Sequence, residues 1–159
     1  YQRNTGNTLS PFNAWVVLKG LETLDLRANA QADAAVVVAR WLETRLPRVL
    51  FPGLPSHPQH ELAMSQMSKA GSIFSFEIAG GRAAAHAVLD ALTLIDISNN
   101  IGDTKTLITH PSSTTHSSLT PAVRAEMGVS EEMLRISVGL EDTADLIDDL
   151  DQALRAVGL

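Results

Sequence analysis

The sequence predicts an α+β domain in which a mostly antiparallel sheet of three or four strands is covered by helices on one face. Strand-like and helix-like segments alternate along the chain. The length of 159 residues is that of one domain, and 45% hydrophobic residues with 19% charged ones can build a core. No internal repeat, low-complexity tract or internal domain boundary interrupts this pattern.

Two helices are predicted at the beginning of the chain. Ser10 before Pro11 is typical of a helix start, because a serine side chain accepts hydrogen bonds from free amides and proline is tolerated in the first turn. Gly20 is the expected end of this helix. The alanine-rich residues 23–46 carry apolar side chains at helical spacing and stop at Pro47, so they predict a long packing helix.

Strand patterns begin after the second helix. Residues 48–51 form a short candidate strand. Residues 72–79 form the clearest one, because Phe74, Phe76 and Ile78 occupy every second position.

The rest of the chain continues the alternation. Gly80 and Gly81 end the strand with a turn; a double glycine before a helix can also bind phosphate, but the GxGxxG and P-loop patterns are missing. The expected elements that follow are a helix at 82–92, a strand at 94–98, a helical turn at 121–127, a strand at 134–138 and a last helix capped by Asp142.

The composition excludes several classes of function. The net charge of −6 opposes binding to nucleic acid or to an anionic membrane surface. Without cysteine the chain has no disulfide, thiolate nucleophile or Cys-ligated metal. Its apolar runs are shorter than a membrane span and no export signal opens it, so we expect a cytoplasmic protein. The start at Tyr1, without an initiator methionine, indicates a piece of a longer protein.

Arg135 is the residue whose chemistry calls for a ligand. It lies inside an otherwise apolar strand, LRISV, where an arginine is costly to bury unless it meets an anion. A carboxylate held by two guanidinium N–H groups is the usual partner. Taken alone, the motif favours another interpretation by about two to one, namely an arginine whose head group lies in solvent.

Three short motifs surround Arg135 in the sequence. They are NNIGDTKTL at residues 99–107, HPSSTTH at residues 110–116 and LRISVGLED at residues 134–142. A fourth, SPFNAWVVLKGLETLDLR, occupies residues 10–27. In this order and spacing they resemble the C-terminal domain of the trans-sulfuration enzymes, the Cys/Met-metabolism group of pyridoxal-phosphate (PLP) enzymes.

The resemblance implies a fold and an arrangement of the intact protein. The fold is that of the small C-terminal domain of the PLP-dependent aspartate-aminotransferase type. Residues 1–22 would be a linking helix from the large PLP-binding domain, and residues 23–159 would be the small domain. Intact members of the family are homotetramers that bind PLP mainly through the large domain.

The resemblance also assigns substrate-binding residues. Arg135 stands where the family binds the α-carboxylate of its amino-acid substrate. Asn100, which helps it, stands where many members carry serine. Thr115 stands where the family has a threonine close to bound substrate, at the mouth of the PLP site.

The implied activity belongs to the intact enzyme. Asn100 and Lys105 stand where cystathionine synthases and lyases often have serine and glutamate, so the chain looks most like the sulfhydrylase branch. That branch makes homocysteine from O-succinylhomoserine or O-acetylhomoserine and sulfide by γ-replacement. Lys19, Lys69 and Lys105 lie outside the motif of the PLP-anchoring lysine. No catalytic, cofactor-binding or metal-binding residue is therefore assigned, and the chain alone is expected to be inactive.

Other interpretations stay open. The sibling activities are cystathionine γ-synthase and methionine γ-lyase, and outside the enzymes the chain could be a stand-alone carboxylate-binding or oligomerisation domain, or a structural remnant. His57 and His60 could bind a metal, and His110 or His116 could pair with a nearby serine, but ordinary loops are favoured in both places. The acidic residues at 145–151 are expected to form a solvated helix face.

Overall fold

The structure, a computed structural model, describes Gly6 and residues 8–159. Its helices in this range are α1 (Pro11–Glu22), α2 (Leu24–Glu43), α3 (His60–Gln66), α4 (Gly81–Ala91), α5 (Pro121–Glu126) and α6 (Thr143–Arg155). Its strands are β1 (Val49–Leu50), β2 (Ile73–Glu77), β3 (Asp96–Ile97), β4 (Leu107–Thr109) and β5 (Met133–Ser137). A short 3-10 turn, Pro111–Ser113, follows β4.

The five strands form one sheet in the order β1-β2-β5-β4-β3. The pairs β1–β2, β2–β5 and β4–β5 are antiparallel, and β3–β4 is parallel. The prediction of a mostly antiparallel sheet is confirmed. The short edge strands leave β5 in the centre, paired along its whole length with β2.

One face of the sheet carries the core. Phe74 and Phe76 on β2 and Leu134 and Ile136 on β5 are buried, as the period-two pattern predicts for a strand with one core face. Helices α2, α4 and α6 contribute to the same apolar cluster, chiefly through Ala35, Val38, Leu42, Ala85, Val88, Leu146, Leu150 and Leu154. The predicted α+β architecture, with helices covering one face of the sheet, is thus the observed one.

The predicted helix starts are confirmed at both ends of the chain. Ser10 Oγ accepts a hydrogen bond from the Asn13 amide (3.1 Å), and Asp142 Oδ1 accepts one from the Ala144 amide (2.8 Å). Gly20, however, does not end α1, because the helix runs through it to Glu22. A glycine ends a helix by taking a positive φ, and Gly20 is not among the glycines that do so.

The acidic face predicted for the last helix is corrected at Asp149. This carboxylate is 5% exposed and accepts hydrogen bonds from the Thr93, Leu94 and Ile95 amides at 2.8 to 3.0 Å. Burial alone raises the pKa of Asp149, but the hydrogen bonds from these residues outweigh it, and the pKa lies below its ordinary value. The residue therefore binds α6 to the connection between α4 and β3.

Helix α1 stands apart from this core. It has no buried residue, and Phe12, Trp15 and Leu18 are 69%, 55% and 57% exposed. Within the described residues no helix combines the length and the apolarity that crossing a membrane requires. The division into a linking helix at 1–22 and a small domain at 23–159 stays a prediction.

Candidate functional site

Arg135 lies in the middle of the central strand, on the face opposite to the core. It pairs in register with Ser75 of β2 and with Thr109 of β4. Because side chains alternate along a strand, the burial of Leu134 and Ile136 on the core side sends Arg135 to the other side. The residue is partly buried there, between polar neighbours.

The Arg135 guanidinium is held at one nitrogen and lacks an acidic partner in the described part of the chain. Its Nη2 donates to the backbone carbonyl of Asn99 at 2.9 Å. Five other arginines form ion pairs with aspartate or glutamate, whereas Arg135 forms none with a described residue. An arginine fixed at one nitrogen still has N–H groups that can bind a carboxylate in a two-point contact.

A chain of polar contacts connects this arginine to the segment after β4. Thr109 Oγ1 donates to Asn99 Oδ1 at 2.7 Å and lies 2.9 Å from Thr114 Oγ1. Thr114 Oγ1 in turn donates to the backbone carbonyl of His110 at 2.8 Å. Thr109 is only 1% exposed, so the connection between the two segments is shielded from solvent.

Asn100 follows Asn99 in an exposed turn. Its backbone amide donates to Ser98 Oγ at 3.2 Å, and its side-chain amide has no hydrogen-bond partner among the described residues. Gly102 turns the chain with a φ of 76°, and its amide donates to Ser137 Oγ at 3.0 Å. The predicted helper Asn100 is therefore one residue from the Arg135 contact, without touching the guanidinium itself.

Thr115 is exposed on the neighbouring segment. Its hydroxyl lies 2.8 Å from His116 Nδ1, and the His116 amide donates to the Pro111 carbonyl at 2.9 Å. The structure thus brings Arg135 and Asn99 into contact and joins them through Thr109 to Thr114, the residue before Thr115. That Arg135, Asn100 and Thr115 bind substrate stays a prediction.

Asn99 is the residue that sequence reasoning missed. Two adjacent asparagines follow the predicted strand at 94–98, and both offer an amide and a carbonyl. Which of them meets Arg135 depends on the path of the loop, and a loop without a regular period does not reveal this in sequence. In the structure Arg135 meets the backbone carbonyl of Asn99, while Thr109, its partner in the β4–β5 register, holds the Asn99 side chain.

A buried polar cluster lies behind the segment that carries Thr115. His110 is 1% exposed, its Nε2 lies 3.0 Å from the Glu131 carbonyl and its Nδ1 lies 2.7 Å from Ser113 Oγ. Arg82 and Arg124 pair with the Glu131 carboxylate at 2.7 and 2.9 Å. The hydrogen bond from Arg82 is the main reason that the pKa of Glu131 falls to about 2.

The serine–histidine pair considered from the sequence is present in this cluster, between residues that are close in the sequence. Ser113 is three residues from His110 in the same 3-10 turn, and its hydroxyl also lies 3.4 Å from the His110 carbonyl. The GxSxG elbow that aims a nucleophilic serine at a substrate is absent from the sequence. The contact therefore serves to shape the turn.

The histidines considered for a metal make local turn contacts. The Gln59 amide donates to His57 Nδ1 at 3.2 Å, and His60 Nδ1 lies 2.8 Å from the Pro52 carbonyl. In the part of the chain that the structure describes, no group of three or more His, Asp or Glu side chains is arranged to hold a metal ion.

The lysines do not fit an anchor for PLP. A lysine that condenses with an aldehyde must lose its proton, which burial or a nearby cation favours. Lys19 and Lys69 pair with Glu22 and Asp33 instead. A hydrogen bond to Asp96 raises the pKa of the exposed Lys105. None of these three lysines is therefore suited to anchor PLP.

Comparison with known proteins relates the chain to one family. The family described as Cys/Met metabolism PLP-dependent enzyme matches residues 1–155. O-succinylhomoserine sulfhydrylase of Pseudomonas aeruginosa is 48% identical over 159 residues, and L-methionine gamma-lyase of Porphyromonas gingivalis is 43% identical over 152 residues. These alignments cover 99% and 94% of this chain.

A solved structure has the same fold. It is described as an O-acetylhomoserine (thiol)-lyase from Campylobacter jejuni and contains N′-pyridoxyl-lysine-5′-monophosphate. The two structures superpose with a TM-score of 0.88 at 38% sequence identity, over 96% of this chain and 37% of the other. The chain spans 40% of the length of the Pseudomonas aeruginosa relative and 38% of the Porphyromonas gingivalis one.

Proposed function

This chain belongs to the Cys/Met-metabolism family of PLP-dependent enzymes, and we propose that it is the substrate-carboxylate-binding part of a longer sulfhydrylase. The reaction is γ-replacement, in which sulfide displaces the acyloxy group of O-succinylhomoserine, or of O-acetylhomoserine, to give homocysteine. The 48% identity to an O-succinylhomoserine sulfhydrylase supports the choice of branch. The PLP of the longer protein is held mainly outside this chain.

One observation carries the role of the chain within that enzyme. Arg135 is fixed on a rigid central strand, on the face away from the core, and its guanidinium has no carboxylate partner among the described residues. The family has amino-acid substrates, and each of these brings an α-carboxylate that matches the planar guanidinium.

These residues bind the substrate and orient it. Two N–H groups of Arg135 hold the α-carboxylate, the Asn99 carbonyl holds the guanidinium, and Asn100 and Thr115 line the substrate from the adjoining segments. Fixing the carboxylate sets the direction of the bonds at the α-carbon, and an oriented bond reacts faster than a freely turning one. The role proposed for Arg135 is binding and orientation, without proton transfer.

The arrangement of the longer protein is part of the proposal. Residues 1–22 form the link from a large PLP-binding domain and residues 23–159 form the small domain. The exposed apolar side chains of α1 support this, since a helix that is apolar on most sides is usually covered. We further propose a cytoplasmic homotetramer without nucleic-acid or membrane partners. The net charge of −6 supports the absence of nucleic-acid and anionic-membrane partners.

A second activity has specific support. The 43% identity to an L-methionine gamma-lyase favours that sibling over other PLP chemistry, and cystathionine γ-synthase is a further sibling. All three need the carboxylate contact of Arg135, so the contact does not separate them. Turnover of O-succinylhomoserine, O-acetylhomoserine and methionine by the longer protein, with sulfide and with cysteine, distinguishes them directly.

The test of the Arg135 role is Arg135→Ala in the longer protein. We expect a large rise in KM and a fall in kcat/KM of about 10- to 100-fold, because hydrogen bonds to charged groups contribute roughly 1.5–3 kcal/mol. Arg135→Lys should recover only part of the loss, since an ammonium lacks the planar two-point contact. Steady-state kinetics with the acyl-homoserine measure both.

Arg155→Ala is the matched control. Arg155 is an exposed arginine on α6 whose partner is Asp151. KM and kcat/KM of the Arg155→Ala variant should equal those of the unmodified protein. If Arg135→Ala also leaves KM and kcat/KM unchanged, the carboxylate assignment is wrong. If the isolated chain binds amino acids tightly without the rest of the protein, the stand-alone binding domain is the better description.

A further inference from the structure

The polar cluster behind Thr115 has no role in the proposed chemistry as described so far. It consists of His86 on α4 together with His110 and Ser113 at the start of the segment that carries Thr115; we call it the histidine cluster. We propose that His110 is a positioning residue that holds residues 111–116, and with them Thr115, in the geometry that the substrate requires. This inference rests on the proposed function.

Several hydrogen bonds meet at His110, both at its backbone carbonyl and at its ring. Its backbone carbonyl accepts from the Thr114 hydroxyl at 2.8 Å and from the Ser113 amide at 3.2 Å. Its ring contacts Ser113 Oγ on one side and the Glu131 carbonyl on the other. One buried residue therefore ties both ends of the 3-10 turn to the connection that leads into β5.

The hydrogen bonds of the His110 ring require one particular protonation state of its two nitrogens. A carbonyl only accepts hydrogen bonds, so the Nε2 of His110 that faces the Glu131 carbonyl carries the hydrogen. The Nδ1 of a neutral ring is then an acceptor, and Ser113 Oγ donates to it at 2.7 Å. Protonation of Nδ1 would turn this acceptor into a donor and reverse the contact.

The surroundings favour the neutral ring. Burial is the largest cause that lowers the pKa of His110, and His86, whose Nε2 lies 3.2 Å from His110 Nδ1, lowers it further. The Glu131 carboxylate acts in the other direction, while Arg82 adds a small lowering effect. Two further charged groups lie nearby. Arg124 pairs with Glu131, and Asp90 of α4 lines a cavity of about 180 Å³ together with His86, His110 and Ser113.

The acceptor of this bond is itself held in place. Arg82 from α4 and Arg124 from α5 both bind the Glu131 side chain, and Ser112 donates to it at 3.0 Å. The Glu131 carbonyl is thus a fixed point against which His110 sets the turn. Ser112 adds a second bond from the same turn to the same residue.

The cluster is connected to the candidate site through Thr114. The Thr114 hydroxyl donates to the His110 backbone carbonyl and lies 2.9 Å from the Thr109 hydroxyl, which donates to Asn99, the residue that holds Arg135. Loss of the His110 ring would keep this carbonyl but would release the turn that positions it, and a shift of the turn would disturb the arginine and the Thr115 segment together. This coupling makes His110 a residue for substrate binding as well as for folding.

The experiment compares variants at His110 in the longer protein. His110→Ala should raise KM for the acyl-homoserine about 10-fold with a much smaller change in kcat, because binding geometry is lost while the reacting groups remain. His110→Gln should recover most of the loss, since its amide reaches the Glu131 carbonyl as a donor. His57→Ala, at a histidine near the other edge of the sheet, is the control and should leave both constants unchanged.

The pH profile separates positioning from a general loss of stability. With His110, KM should be flat above pH ~6.5 and should rise as the pH falls through the lowered pKa of His110, because the charged ring cannot accept from Ser113. With His110→Gln this rise should disappear. If His110→Ala does not fold, the profiles of His110→Gln and of Ser113→Ala decide the question.

Two outcomes overturn the inference, and a third concerns the proposed function. If Arg135→Ala raises KM while His110→Ala and Ser113→Ala behave like the unmodified protein, His110 has no positioning role. If nitrogen-15 NMR of this chain at neutral pH shows His110 charged, or with its hydrogen on Nδ1, the required geometry is wrong. If Arg135→Ala has no effect, the proposed function fails, whereas the NMR result still reports on His110.

Discussion

At the scale of single residues, Thr109 joins the two halves of the candidate site. Its hydroxyl donates to Asn99 Oδ1 and contacts Thr114 Oγ1, while its backbone lies beside Arg135 in the sheet. This buried hydroxyl is uncharged, so its effect depends on the geometry of its contacts with two partners. Removing it leaves Asn99 Oδ1 without this donor and takes a polar contact away from Thr114, and these two residues belong to different segments.

We therefore predict that Thr109→Val weakens substrate binding without altering the fold. Valine has nearly the shape of threonine, so the sheet is kept, while the loss of the hydrogen bond to Asn99 and of the polar contact with Thr114 loosens the two segments. KM should rise about 5- to 10-fold, corresponding to roughly 1 kcal/mol. Steady-state kinetics and far-UV circular dichroism measure these effects. Thr109→Ser should behave like the unmodified protein, and equal KM values for all three would show that the hydroxyl is irrelevant.

The lowered pKa of Glu131 predicts how the free energy of unfolding depends on pH. Its pKa is lowered from 4.5 to about 2, chiefly by the hydrogen bond from Arg82, so the folded protein holds this carboxylate in its charged form. A lowered pKa contributes stability above the unfolded value, and this contribution is lost as the pH falls from about 4.5 towards 2.

Glu131→Gln should therefore flatten the loss of stability over that range. The measurement is the denaturant midpoint at several pH values between about 2 and 6, with the exposed Glu126→Gln as control. Parallel curves for Glu131→Gln and the unmodified protein would mean that the two arginines do not stabilise the charged form.

At the scale of elements, Asp149 attaches α6 to the entry of β3. The side chain accepts from three successive amides and from the Thr93 hydroxyl (2.7 Å), as a cap would do for a helix end. It binds a loop that is 54 to 56 residues away in sequence. The position of β3, and hence the start of the loop with Asn99, depends on this contact.

Asp149→Asn should destabilise the fold by about 2 kcal/mol. The amide side chain keeps one oxygen acceptor but loses the second and the charge, so at least one buried amide is left without a partner. Asp148→Asn, on the exposed face of the same helix, should change the free energy of unfolding by less than about 0.5 kcal/mol. Urea denaturation compares the two, and equal midpoints would refute the structural role of Asp149.

At the scale of the whole molecule, α1 is an apolar helix without a cover in the described structure. Its residues Phe12, Trp15, Val16, Leu18 and Leu21 are each between 47% and 69% exposed. Monomeric domains rarely leave such a surface open, so the proposed large domain is the natural cover. In the proposed tetramer, subunit interfaces would lie partly on these residues.

The fluorescence of Trp15 tests whether α1 is covered in the longer protein. In this chain alone, Trp15 emission should be quenched readily by iodide, while the partly buried Trp41 is less accessible. In the longer protein the accessible fraction should disappear. Trp15→Phe identifies the contribution of Trp15 by difference. If Trp15 is equally accessible in both proteins, α1 is not covered by the additional part.

Much of the fold could be predicted from local patterns. The strand at Ile73–Glu77, the helix at Gly81–Ala91 and the cap at Asp142 lie where the residues indicate, because periodicity and capping act within a few residues. The end of α1 was misplaced at Gly20, since one glycine does not stop a helix unless the backbone turns there. Arg135 was identified from its apolar strand, but its contact with Asn99 was not.

The sequence by itself determined most of the elements, the apolar face of the core strands and the family to which the motifs belong, whereas the helix His60–Gln66 and the strand Leu107–Thr109 were not among the predicted elements. Only the tertiary structure decided that Asn99 holds Arg135, that Asp149 is buried rather than solvated, and that His86, His110 and Ser113 meet. Apart from the local contact between His110 and Ser113, these contacts join residues 24 to 56 positions apart. Local propensity acts over a few residues, whereas such contacts depend on the register of β4 against β5 and on how the helices pack on the sheet.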